Sequence, residues 1–500
     1  MTWLANKIQN RMLMWVFSKR DSRRMSILKK NIYLVLIVLL VVSMFTACGT
    51  STPAATTAPA AATESAATST ASAAATTVAS TATPVAESST PVADKNAEAF
   101  TINVSGWFFG DLKGPPTNQT RFTEYAVAKY KEKYPNATVQ INNLAGEKYL
   151  DVIKAKMASG TGDEVIFHQT NLIFAKAGYL EDLSGFDFVP NIVDAAKSTV
   201  TYQGKVFSAP QTMQTFGTFY NKKIFQDKGI TIPTNWTEFL ATCEKLKAAG
   251  IVPLGSGYKD SWVVNATFAN VFMPNFILAD NPNFLVDLYN RKVKMNSPEM
   301  KNAIGKFVEL VTKGYYPKGM FSTDWMASGA EFGHGKTAML IQGAWLPGML
   351  DSEATFSGEG SIGSVSCGFV PFSGESGKPV ISLGADHLLS INAKAPDKQR
   401  AKDLFLSLIS PEALSLACAD LAFPGIKVKV THKLPAYMDI QNAIDKNMSS
   451  VSGFAYMPAS VQTELTAVIQ KAMAGQGLSD KDLDNLDKMY DQDIATAMAP

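Results

Sequence analysis

Phe100-Thr101-Ile102-Asn103-Val104 alternates apolar and polar side chains, the period-2 signature of a half-buried strand. Residues 120–134 follow with Phe122, Ala126 and Tyr130 four apart, which places all three on one face of a helix. Pro135 stops that helix, and Thr138-Val139-Gln140-Ile141 reads as the next strand. Residues 149–158 read as a second helix, closed by Ser159-Gly160, and Glu164-Val165-Ile166-Phe167 as a short buried strand. Strand and helix in alternation predict an α/β layered fold.

Two later helices are equally plain. Asn235 precedes Trp236, with Glu238 three residues on, the spacing of a capping box, and the helix runs through Leu240, Cys243 and Leu246 to Gly250. Residues 397–410 carry Ala401, Leu404, Phe405, Leu408 and Ile409 at i, i+3, i+4, i+7 and i+8. About 400 residues follow Phe100, more than one ordinary core accommodates, so two lobes are expected.

The front of the chain is of another kind. Lys29 and Lys30 precede the uncharged run of residues 32–45, IYLVLIVLLVVSMF, and Thr46-Ala47-Cys48 follows. A basic start, a short apolar run and a small-residue exit make a secretory signal, because a membrane span needs about 20 apolar residues. Residues 1–47 are read as the signal, with translation able to start at Met25. The cysteine at the exit resembles a bacterial lipobox, with Phe45 in place of the usual leucine, which implies cleavage before Cys48 and its lipidation. Residues 49–99 are almost entirely Ala, Thr, Ser and Pro, a composition with no large side chains for a core. They read as a tether with a reach on the order of 40 Å.

The chain has 46 basic and 44 acidic residues. Eight of the basic residues and one acid lie in the signal, so the remainder has 38 basic and 43 acidic residues and a net charge of −5. Nothing in that balance suggests a nucleic-acid surface. Beyond Cys48 there remain Cys243, Cys367 and Cys418, without metal-ligand spacing, and neither a metal nor any cofactor is implied. Buried free thiols are expected, with a Cys367–Cys418 bridge left open.

Four segments carry a family resemblance. The first is Tyr134-Pro135 to Val139 with Ala158-Ser159-Gly160 through Asp163-Glu164-Val165, where Glu164 departs from the usual order. The second joins residues 204–210, GKVFSAP, to Phe219-Tyr220-Asn221-Lys222, Gly229-Ile230 and residues 233–239. The third is residues 332–339, FGHGKTAM, with Gly343-Ala344-Trp345, and the fourth Gly384-Ala385-Asp386, then residues 392–395 and Ser410-Pro411-Glu412. In their order and spacing they resemble the family 1 extracellular solute-binding proteins of ABC importers. The resemblance implies a two-lobed, periplasmic-binding-protein-like (type II) fold with a ligand cleft between lobes. It places lobe one at 100–215 and 370–412 and lobe two at 216–369 and 413–500. It also implies a sugar or oligosaccharide ligand, ABC permease subunits with an associated ATPase as partners, a monomer, and a place at the cell envelope, lipid-anchored outside the cytoplasmic membrane or periplasmic.

Candidate contacts follow from residue chemistry. The axial C–H face of a sugar packs on an aromatic face, and an indole keeps an N–H to donate. Trp345 leads, because Gly343 and Pro347 flank it and the resemblance puts this tryptophan under the sugar. Trp107, or Phe108 beside it, follows the first strand, where α/β folds bind ligands. Tyr258 and Trp262 sit in a polar loop. His168 and Gln169 follow a strand, and both donate and accept hydrogen bonds. Gln211 and Asp386 stand where the chain is expected to cross between lobes, and a carboxylate accepts strongly from sugar hydroxyls. Trp236, at a helix start, reads as structural, and Trp325 leans the same way. No Gly-x-Ser-x-Gly, His-Glu-x-x-His or phosphate loop occurs. An enzyme is therefore not expected, and Glu147 reads as a surface or ligand-rim group. The rival readings are a tethered extracellular carbohydrate-active enzyme and a binder of a non-sugar solute.

Overall fold

The computed structural model describes residues 96–107, 109–110, 118–144, 149–169, 171–350, 365–370, 374–446, 449–453 and 456–498. The signal, Cys48 and nearly all of the tether lie outside the described residues, as do Phe108 and Glu147. Among the described residues no helix is long and apolar enough to cross a membrane.

The strands in chain order are β1 (Phe100–Gly106), β2 (Ala137–Asn143), β3 (Val165–His168), β4 (Thr201–Tyr202), β5 (Lys205–Val206), β6 (Ala209–Gln214), β7 (Phe216–Asn221), β8 (Val252–Gly255), β9 (Thr337–Gly343), β10 (Cys367–Val370), β11 (Ile381–Ile391), β12 (Phe423–Pro424) and β13 (Ser449–Val451). They build two principal sheets. The first runs β12-β6-β11-β3-β1-β2, with β13 paired to β11, and the second runs β10-β7-β9-β8. In the first, β1 pairs parallel with both β2 and β3, as the βαβα rhythm requires, while β11 runs antiparallel to β3 and β6.

The helices lie where periodicity puts them. Phe122, Ala126 and Tyr130 of Asn118–Lys133 are buried against the first sheet, together with Ala401, Leu404, Phe405 and Leu408 of Lys398–Leu408. The oxygens of Asn235 and Asp397 accept the N–H groups of Glu238 and Arg400 at 3.0 Å, capping their helices. The Glu238 carboxylate reaches back one residue further than a standard capping box, to the N–H of Thr234 at 2.8 Å. Trp236 is buried in the second core against Phe239 and Phe276. Cys243, Cys367 and Cys418 are buried free thiols, and burial pushes that of Cys367 up to about 12.

Two passages join the sheets. A single residue, Thr215, separates β6 of the first sheet from β7 of the second. Residues 371–380 lead from β10 of the second to β11 of the first. Residues 413–426, expected with the second lobe, pack on the first sheet. There β12 pairs with β6, and Pro411–Cys418 packs on Asn118–Lys133. Ala413, Leu414 and Ala417 give that helix an apolar face of its own, which carries the chain past the expected boundary before it returns.

Candidate ligand-binding site

Strands β8 and β9 run parallel, so the loops leaving them emerge at one edge of the second sheet. Trp262 follows β8 and Trp345 follows β9. Strand β7 is antiparallel, and its first residue, Phe216, pairs with Gly343 at that same edge. These three rings meet Trp325 in one cluster. Trp345 lies 5.3 Å from Phe216, 6.2 Å from Trp262 and 6.4 Å from Trp325 between centroids, and Trp262 lies 6.0 Å from Trp325. Phe216 is buried, while the three indoles are half-buried. Trp345 packs against both large cores of the molecule, and its Nε1 is buried without a hydrogen-bond partner among the described residues.

Two loops are clamped to present this cluster. The N–H of Trp325 donates to the Asp260 carboxylate at 2.9 Å, and the N–H of Lys259 donates to the Thr323 carbonyl at 3.1 Å. Gly257 allows the approach, since a Cβ there would stand 2.7 Å from the Trp325 Cα.

A second group stands at the carboxyl edge of β1 and β3. Trp107 is half-buried, edge-on to Tyr149 at 5.1 Å and to His387 at 5.3 Å. The exposed Gln169 donates its amide N–H to Asp386 at 2.5 Å. The register of β11 against β6 slips around Asp386, a bulge that turns a side chain out of strict alternation. His387 Nε2 lies 3.4 Å from Asp386, and Thr212 Oγ1 lies 3.0 Å from His387 Nδ1. Burial holds the His387 imidazole below its ordinary range, against the pull of Asp386. Among the described residues neither Asp386 nor Asp260 forms an ion pair with Lys or Arg. Lys259 lies 3.6 Å from Asp324.

The candidates therefore divide. Trp345 and Trp262 come together, and Trp107, Gln169 and Asp386 form the other group. Three others are held in the core. His168 is wholly buried on β3, 2.8 Å from Ser390 Oγ and 3.3 Å from Ser208 Oγ, and burial lowers its pKa to about 3. Gln211 is wholly buried on β6, with its amide donating to the Leu408 carbonyl at 3.3 Å. Tyr258 packs on Phe307 and donates its hydroxyl to Tyr316 at 2.9 Å, which leaves no face of the ring open to a solute. Phe216 and Trp325 were missed. Trp325 is the first residue of a helix capped by Asp324, the same local pattern as Asn235-Trp236, so nothing local separates the surface ring from the core ring. Among the described residues no cluster of His, Cys, Asp or Glu could hold a metal ion.

Comparison with known proteins accords with this architecture. A model of the bacterial extracellular solute-binding proteins matches residues 114–414. An uncharacterised ABC transporter extracellular-binding protein of Pyrococcus horikoshii is 26% identical over 270 residues, covering 51% of this chain and 60% of the relative. The multiple sugar-binding protein of Streptococcus mutans is 24% identical over 270 residues, covering 53% and 62%. The chain thus spans about three fifths of the length of these curated relatives. Among solved structures, a chitin oligosaccharide binding protein superposes with a TM-score of 0.67 at 19% identity, covering 79% of this chain and 99% of its own. The solute-binding protein RafE in complex with raffinose gives 0.65 at 18%, covering 79% and 99%. These likenesses show the fold, two-lobed and periplasmic-binding-protein-like (type II). With more than half its length matched by the family model, the chain belongs to the bacterial extracellular solute-binding proteins.

Proposed function

We propose that this chain is the substrate-binding lipoprotein of an ABC importer and captures a neutral sugar or oligosaccharide. The observation that carries the reading is the cluster of Trp262, Trp325 and Trp345 on Phe216, half-exposed at the edge of one sheet. Indole faces match the C–H faces of pyranose rings. Trp107, Gln169 and Asp386 on the other sheet supply a further aromatic face and acceptors for hydroxyls. The charge of these groups argues for an uncharged cargo, since a phosphate or carboxylate on the solute would want Arg or Lys at both groups.

The names of relatives support the same class, one being a multiple sugar-binding protein and one structure a raffinose complex. In this reading the lobes are 100–215 with 370–412 and 216–369 with most of 413–500, and the pairing of β12 with β6 supports giving residues through 426 to the first. The solute closes the lobes by binding the closed state better than the open one. A lipidated Cys48 holds the monomer at the membrane, and a permease with its ATPase receives the cargo.

A thermal-shift screen with raffinose, stachyose, chitin oligosaccharides and xylo-oligosaccharides tests the reading. A bound sugar raises Tm by mass action, whereas no shift with any member of such a panel counts against a sugar cargo. Prolonged incubation with a binder separates the rival, as an enzyme would release product and an importer component would return the sugar intact.

A further inference from the structure

We propose that Asn270 and Asn275 are the positioning pair that pins the start of β11 to the second lobe, so that flexing along this passage falls after Leu383, beside the Thr215 crossing, and Asp386 is set by that anchor. The inference rests on the binding reading only where it concerns Asp386; the anchor itself is independent of any cargo.

The pair lies in a long helical segment with two wide turns in succession, Phe268–Phe272 and Pro274–Leu278. The N–H groups of Met273 and Ala279 donate to the carbonyls of Phe268 and Pro274, five residues back, which is π-helical bonding. Pro274, inside this continuous segment, has no N–H to give, and the Ala269 carbonyl five residues before it accepts from Gly453 instead. The widening decides which side chains share a face. Positions five apart on an α-helix lie about 140° apart around the axis. Here Asn270 and Asn275 both reach one strand passage, at Val380 and Ser382, which are two apart and so on one side of an extended chain.

The contacts are specific. Asn275 behaves as a neighbouring strand would, since its amide donates to the Val380 carbonyl at 3.1 Å and its oxygen accepts the Val380 N–H at 3.0 Å. Asn270 Oδ1 accepts two hydroxyls, from Ser382 at 2.7 Å and from Ser452 at 2.8 Å. One oxygen thereby ties β11 and the passage just after β13, which is itself paired with β11 over Ile381–Leu383. Gly453 completes the tie by donating its N–H to the Ala269 carbonyl at 3.0 Å. Both asparagines are buried, and the Ser382–Asn270 bond is buried with them, where water competes least.

Downstream the character of β11 changes. Gly384 and Ala385 pair with Gln214 and Met213 of β6, the register slips at Asp386, and Leu388–Ile391 pair with β3 deep in the first sheet. One strand is thus held by the second lobe at its start and by the first at its end, with a glycine and a bulge between. Backbone rotation concentrates where a chain is least constrained, and glycine and bulges offer that freedom.

Spin labels at Lys154→Cys and Glu299→Cys, on helices packed against different sheets, read the separation of the lobes without any solute in a Cys48→Ser background; Cys243, Cys367 and Cys418 are buried. The unliganded chain should give a narrow distance distribution. Asn275→Leu, or the milder Ser382→Ala, should broaden or shift it, and amide exchange across residues 380–383 should rise at least tenfold. A distribution unchanged in Ser382→Ala and Asn275→Leu, with exchange raised, would reduce the pair to local packing and overturn the inference. Failure of every sugar to bind would leave these distances readable, so the two readings fail separately.

Discussion

The indole of Trp345 lies on the bare Cα of Gly343: a Cβ built on the glycine would stand 2.3 Å from Trp345 Cη2. The small residue beside this tryptophan therefore seats the indole itself. The seat fixes the ring at the edge where Phe216 and Trp262 meet it.

Gly343→Ala should therefore act on the site without removing any aromatic group. The new methyl displaces the indole, and affinity for a bound sugar should fall towards that of Trp345→Ala. The latter should lose about 1–3 kcal/mol of binding from lost burial and stacking, roughly five- to 150-fold in Kd. Titration calorimetry reads both. Trp236→Ala is the control, since its ring is buried in the second core and its loss should lower Tm while sparing the affinity of the folded fraction. Normal binding by Trp345→Ala would remove it from the site.

Asp260→Ala should loosen the tryptophan cluster from outside it. Its carboxylate is the acceptor for the Trp325 N–H, so the variant removes one of the two bonds that clamp the loops bringing Trp262 and Trp325 together. Near-ultraviolet circular dichroism from the indoles should weaken, and affinity should fall about tenfold, near 1.4 kcal/mol. Asp260→Asn keeps an oxygen acceptor and should restore most of both. Unchanged dichroism in the alanine variant would show that the clamp is dispensable.

Acid should destabilise the fold through its buried imidazoles. Burial lowers the pKa of His168 to about 3, against an ordinary value of 6.5, and also lowers those of His387 and His432. Below pH 6.5 the unfolded chain binds protons that the folded chain refuses, so stability is complete above that pH and is lost as pH falls. For His168 the loss runs at about 1.4 kcal/mol per pH unit down to its folded pKa. Urea unfolding between pH 7 and 4.5 should show the slope, and His168→Gln should reduce it by one proton whatever its cost at neutral pH. An unaltered slope would mean that the imidazole charges inside the fold.

Cys48→Ser should abolish incorporation of a radiolabelled fatty acid in a bacterial host. Equal labelling of wild type and variant would remove the lipid anchor from the proposal.

Much of the architecture is written locally. The period of Phe122, Ala126 and Tyr130 and that of Ala401, Leu404 and Phe405 fixed two helices and their buried faces, because burial against a sheet selects one stripe of a helix. Asn235 and Asp397 marked helix starts, because an unpaired N–H in the first turn takes the nearest side-chain acceptor. The ends of β1 and β3 pointed to Trp107 and Gln169, because loops at strand ends are where α/β sheets open, whereas Trp345 was marked by its flanking Gly343 and Pro347 and by the family resemblance.

What only the tertiary structure decided is which polar and aromatic side chains face outward. His168 and Gln169 are neighbours in sequence, yet one is sealed beneath Ser390 of β11 and Ser208 just before β6 and the other bonds Asp386 in the open. Trp236 and Trp325 each open a capped helix, yet one is buried against Phe276 and the other stands beside Trp262. Asn270 and Asn275 share a face only because the helix widens to π turns beneath β11. Periodicity and capping are properties of a few consecutive residues and can be read from them, whereas exposure depends on what distant segments lay over a side chain.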